Sequence, residues 1–105
     1  MATTPKILGN GQVANVKTTI YTVPALTQAI IRTVTFSQVA GGTQIVRLYV
    51  KKAAGTSRVF SRAQLEVNEF AHEEDIGTLD AGDVLEADTT DAATVDYAIM
   101  GVEIA

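Results

Sequence analysis

The chain has no cysteine and no tryptophan, two prolines and a single histidine. Without thiols it can build no disulfide, no thiolate nucleophile and no cysteine-based zinc centre. At 105 residues it needs no such staples, since one domain of that length hides roughly two thirds of its unfolded surface. No apolar run approaches the ~20 residues of a membrane span. The opening "MATTPKILGN" lacks the charged and apolar regions of a secretory leader. A net charge of −4 argues against nucleic acid as the main partner. Neither membrane nor nucleic acid is therefore expected.

Catalytic constellations are also scarce. His72 stands between Ala71 and Glu73, and no serine lies in a nucleophile-elbow context. No glycine-rich loop followed by lysine is present to cradle phosphate, and "GNG" at 9–11 reads as a turn. Tyr21, Tyr49 and Tyr97 each sit among β-branched residues, where packing is the simpler role than a stacking platform. The expectation is a non-enzyme without cofactor.

What the chain does have is threonine, valine and isoleucine in short runs separated by glycine, proline or aspartate. In "AIIRTVTF", Ile30, Val34 and Phe36 share one face with Arg32 as the exception, and Ile31, Thr33 and Thr35 share the other. "QIVRLYVKK" sets Val46, Leu48 and Val50 against Ile45, Arg47, Tyr49 and Lys51. "AQLEV" alternates through Ala63, Leu65 and Val67, and "TVDYAIMGVEI" aligns Val95, Tyr97 and Ile99. This period of two belongs to half-buried strands. Pro24 ends one run, Gly41-Gly42 separates two strands at hairpin spacing, and Gly55 ends the next. Segment 61–75 also offers a capping box, Ser61 with Gln64, but two strands turning at Asn68-Glu69 fit the surrounding pattern better. The expected fold is all-β: an antiparallel, jelly-roll-like sandwich over 13–105, preceded by an N-terminal arm over 1–12.

Charge is divided along the chain. Every lysine and arginine lies before position 63, and every carboxylate, from Glu66 to Glu103, lies after it. Two arrangements fit: halves interleaved in one sandwich with scattered cross-strand pairs, or a dipolar protomer whose basic face meets a neighbour's acidic face. Within the acidic half, "LDAGDVLEAD" (79–88) holds four carboxylates around one glycine. It lacks the alternate-position ligand register of a calcium loop. In a strand from 83 to 88, Asp83 points away from Glu86 and Asp88. Asp80-Ala81-Gly82-Asp83 instead meets the chemistry of a tight turn, and no metal site is expected.

In order along the chain, "IYTVPA" (20–25), "AIIRTVTF" (29–36), "VRLYVKK" (46–52), "LDAGDVLEA" (79–87) and "MGVEI" (100–104) resemble short virion proteins of tailed bacteriophages, most of all capsid decoration (cement) proteins. The resemblance spans about residues 19–104. The chain departs from the pattern at Leu26-Thr27, where glycine commonly follows Pro-Ala, and at Ser37-Gln38-Val39, where a polar Asn-Thr-Ser turn is usual. The resemblance implies a small β-sandwich, a homotrimer, and a partner in the major capsid protein on the outer surface of the head, where it bridges capsomers. Tail, baseplate or fibre proteins share the pattern, and a carbohydrate- or calcium-binding module is the remaining alternative. Attachment is expected from the arm, through Lys6, Ile7 and Leu8, and from the exposed faces of the basic strands. Such an arm either orders on its partner or is simply a frayed end.

Overall fold

A computed structural model describes residues 3–91 and 93–104, with side chains for 7–74, 76–91 and 93–104. Eight strands occur in chain order: β1 (Thr3–Gln12), β2 (Thr18–Thr22), β3 (Gln28–Gln38), β4 (Gln44–Lys51), β5 (Arg58–Leu65), β6 (Phe70–Leu79), β7 (Val84–Thr89) and β8 (Val95–Ile104). They form two four-stranded sheets, ordered β1-β8-β3-β6 and β2-β7-β4-β5, with every pairing antiparallel. Only the β4–β5 connection stays within one sheet, and all the others cross between sheets. This is the jelly-roll form of the sandwich. The loops consequently gather at two ends. Segments 13–17, 39–43, 66–69 and 90–94 share one end, and 23–27, 52–57 and 80–83 share the other.

The core is the set of inward positions on both sheets. Val46 and Leu48 of β4, Leu85 and Ala87 of β7, and Val95 and Ile99 of β8 meet Ile31, Val34 and Phe36 of β3. Strand β4 keeps the expected alternation, as does β8 as far as Ile99. Strand β3 does not: its core positions are Ala29 and Ile31, then Val34 and Phe36. Ile31 and Thr33 face Gly101 and Met100, which are consecutive in β8, so Arg32 is the extra residue of a β-bulge. The bulge reverses the phase of the strand. Ile31 therefore replaces Ile30 in the core, and Arg32 is carried to the surface.

Residues 58–65 and 70–79 are strands, as preferred over the helix, and Asn68 takes the left-handed φ of 64° between them. The turn does not close a hairpin, however. It carries the chain from one sheet to the other, and so does the Gly41-Gly42 segment, read from its spacing as a hairpin. Loop length alone does not distinguish the two geometries.

The arm expected over 1–12 is also revised. From Thr3 the chain forms the edge strand β1, paired along its length with β8 from Thr3↔Ile104 to Gln12↔Asp96. Pro5 is tolerated because an edge strand needs hydrogen bonds on one side only. Between β1 and β3 lies Gly101 of β8, where an added Cβ would lie 2.3 Å from the Ile30 carbonyl of β3 and 3.1 Å from Leu8 Cδ1 of β1. Glycine is required there by close approach of backbones.

Candidate assembly surface

Both ends of the sandwich are tied by a buried polar side chain. At the 80–83 end, Gly82 has φ +86° and the Asp83 N–H donates to the Asp80 carbonyl at 3.0 Å, as a type II turn requires. The Asp83 carboxylate, 3 % exposed, then accepts from Lys52 Nζ at 2.5 Å, from the Ala53 N–H at 2.9 Å and from the Asp80 N–H at 2.9 Å. Burial alone would push this carboxyl upward; the Lys52 ammonium and the two backbone donors outweigh it and hold the group below its ordinary value. The same hydrogen bond raises the Lys52 ammonium. At the other end Gln44 donates to Asp91 Oδ2 at 3.1 Å and accepts from the Asp91 N–H at 3.0 Å. Gln38 donates there to the carbonyls of Gly42 and Leu65.

The expectation of diverging carboxylates in 79–88 is met. Asp83 lies in phase with the core positions Leu85, Ala87 and Thr89, and Glu86 and Asp88 face outward. Asp88 accepts from Tyr49 Oη at 2.8 Å and from Arg47 Nη1 at 3.5 Å, and Asp80 accepts from Gln28 Nε2 at 2.9 Å. Among the described residues no three histidine, aspartate or glutamate side chains are grouped to hold a metal ion. Tyr21 is buried and donates to Glu103 Oε2 at 2.7 Å. Burial and that carboxylate together raise its phenol far above the ordinary value. Tyr97 packs against the core, whereas Tyr49 lies on the outer face under Lys17, whose Nζ stands 5.1 Å from the ring centre. Burial, then Asp88, raises the Tyr49 phenol.

The surfaces left for a partner are the outer faces and the edges. Of the three expected attachment residues, Ile7 is exposed at 56 % opposite Met100 on β8, itself exposed. Leu8 is half-buried and packs against the core. The backbone of Lys6 pairs with Gly101, and its side chain lies outside the described residues. Leu26 is 93 % exposed and takes φ 57°, a left-handed conformation suited to glycine. It stands where the sequence pattern commonly has that residue.

The interleaved arrangement of charge occurs within the sandwich. Arg47 and Asp88 are direct cross-strand partners, because acidic β7 lies between β2 and basic β4. On one side of the sandwich the division persists. The edge strand β5 carries Arg58 and Arg62 without a carboxylate, and β6 with its preceding turn carries Glu66, Glu69, Glu73, Glu74 and Asp75 without lysine or arginine. Val59, Phe60 and Phe70 are exposed beside them, at 58, 44 and 62 %. Sequence reasoning found the division of charge but not these edges, since strand order decides which charges acquire neighbours.

No protein-family model matches the chain, and no curated protein matches its sequence. Solved structures share the fold. A Bacillus endospore appendage protein, of a family forming disulfide-linked pili, superposes with a TM-score of 0.54 at 15 % identity, over 97 % of this chain and 85 % of that one. PirA gives 0.53 at 15 % identity, over 88 % and 90 %. A chain from the structure of infectious bursal disease virus, Gx strain, gives 0.50 at 12 % identity, over 97 % of this chain and 32 % of the viral one. These likenesses establish the fold, a two-sheet jelly-roll sandwich.

Proposed function

We propose that the protein is a structural subunit of a tailed-phage virion, a head decoration protein that binds the major capsid protein on the outer surface and bridges capsomers as a homotrimer. The observation that carries this reading is a jelly roll with internally tied loop ends and with exposed apolar and charged residues left on its edges. That is the anatomy of a building block. The ordered sequence resemblance over 19–104 and the fold shared with a virus particle protein support it. A contact role needs no catalytic group, and modest contacts suffice when a multivalent oligomer engages several capsid subunits together.

The test is to mix purified protein with undecorated, expanded heads and with tail components, and to sediment each. Saturable binding to heads at a stoichiometry matching capsid symmetry is expected; binding confined to tail components would reassign the protein to the tail. Deleting 1–12 would remove a strand of the sheet, so attachment is probed with Lys6→Glu and Ile7→Asp. Weaker head binding at unchanged melting temperature is expected, and undiminished binding would remove these residues from the contact.

A further inference from the structure

We propose that copies of this chain join edge to edge, the basic strand β5 of one lying antiparallel beside the acidic strand β6 of the next, around a rotation axis parallel to the strands. The proposal rests on the self-association in the functional reading above and gives it a surface. Strands β5 and β6 are the outermost strands of their sheets on the same side of the sandwich, joined by the 66–69 turn. Each offers a row of backbone N–H and C=O groups that its own sheet does not pair, a template for another strand.

The side chains make that template selective. Edges that must stay monomeric are guarded by charge and kept free of large apolar groups; here Val59, Phe60 and Phe70 are exposed. The charges are sorted by strand instead of mixed. Their intrasheet partners do not neutralise them: Arg62 faces Arg47 across the ladder, Glu73 faces Val34, and Glu74 faces Thr33. The opposite side of the molecule has no comparable complement, because β2 (TTIYT) carries no charge and β1 carries Lys6 alone.

Direction and charge then select the direction of the axis. Strand β5 runs from the 52–57 end towards the 66–69 end, and β6 returns. A rotation axis parallel to the strands preserves both directions, so β5 of one copy and β6 of the next are antiparallel, as a ladder joining them requires. The same operation keeps each residue at its own level along the strands and sets Arg62 against Glu73 and Glu74, with Arg58 further along the same edge. A two-fold axis perpendicular to the strands would place β5 against β5, arginine against arginine, which is repulsive. Repeated three times, the parallel-axis contact closes a ring in which each copy uses both edges.

The experiment is done without heads, so that its outcome is separable from decoration. Sedimentation velocity compares the full chain, Arg58→Glu/Arg62→Glu, Glu69→Lys/Glu73→Lys/Glu74→Lys, and the chain carrying all five changes. The full chain is expected to assemble and to dissociate as salt rises. Each partial reversal is expected to weaken assembly by at least about tenfold through like-charge contact, and the five-fold variant to recover it. Deuterium exchange on the unaltered chain gives a reading that needs no variant: amides of 58–65 and 70–79 should lose protection on dilution to monomer. A monomeric full chain, partial reversals that assemble normally, folded five-fold chains that fail to recover, or edge amides indifferent to dilution would each overturn the contact. Head binding that survives such a failure would leave the decoration role standing.

Discussion

Asp83 accepts three hydrogen bonds in a position almost closed to water, and its partners come from two loops. Asp83→Asn would turn an amide N–H₂ towards donors, leaving at least one buried backbone N–H without an acceptor. A loss of about 2–3 kcal/mol is expected in urea unfolding at neutral pH, from the cost of an unpaired buried group beside a lost charged bond. The pH dependence follows from the directions. The Asp83 carboxyl is lowered in the fold, so its contribution is complete above the ordinary value of about 4 and is lost as pH falls through the folded value. Lys52, Tyr21 and Tyr49 are raised, so their contributions are complete below about pH 10 and are lost as pH climbs through the raised values. Melting temperature against pH should fall on both flanks, with Asp83→Asn shrinking the acid flank and Tyr21→Phe the alkaline one. Gly101→Ala should cost about 3 kcal/mol, the upper part of the range for overpacking, because the Ile30 carbonyl in its way is backbone; chemical denaturation measures it.

Among the elements, β4 and β8 were legible because each presents apolar residues at alternate positions to one core. The turn Asp80–Asp83 was legible because its glycine and aspartates act locally. Strand β1 was not: "TTPKILGNGQ" has a proline, two glycines and no alternation, and it is ordered by pairing with β8, nearly a chain length away. The Lys52–Asp83 bond was hidden for the same reason, its partners being 31 residues apart. Arg32 breaks the apolar face of its run in the sequence, and the structure explains it as the bulge that turns β3 over. Deleting Arg32 should leave a regular ladder, with Ile31, Thr33 and Val34 pairing consecutively with Gly101, Met100 and Ile99 and keeping their faces. Deleting Thr35 would instead turn half of the strand over, since a one-residue slip exchanges the two faces. The Thr35 deletion is expected to abolish soluble expression or cooperative melting, whereas the Arg32 deletion and Arg32→Ala should retain both.

For the whole molecule, connections that cross between the sheets make each one depend on distant parts of the chain. Nearly every strand pair joins segments far apart in sequence, as with β1 and β8, so refolding after stopped-flow dilution from urea should fall in the millisecond-to-second range of sandwiches rather than the microseconds of helical bundles. The same interleaving explains why a chain with all its bases first and all its acids last shows only a local division of charge. Strand β7 is inserted between uncharged β2 and basic β4, and β8 between β1 and β3, each with one basic residue; the sorting survives where a strand has one neighbour.

The pairing of Thr3 with Ile104 has a practical corollary. Neighbouring strands are ~5 Å apart, so a few residues would stitch the two extremities together and allow the polypeptide to be opened elsewhere, for instance within 39–43. A passenger attached at either extremity would leave from one corner, at the 80–83 end, so one such corner per subunit would define the geometry of any multivalent display.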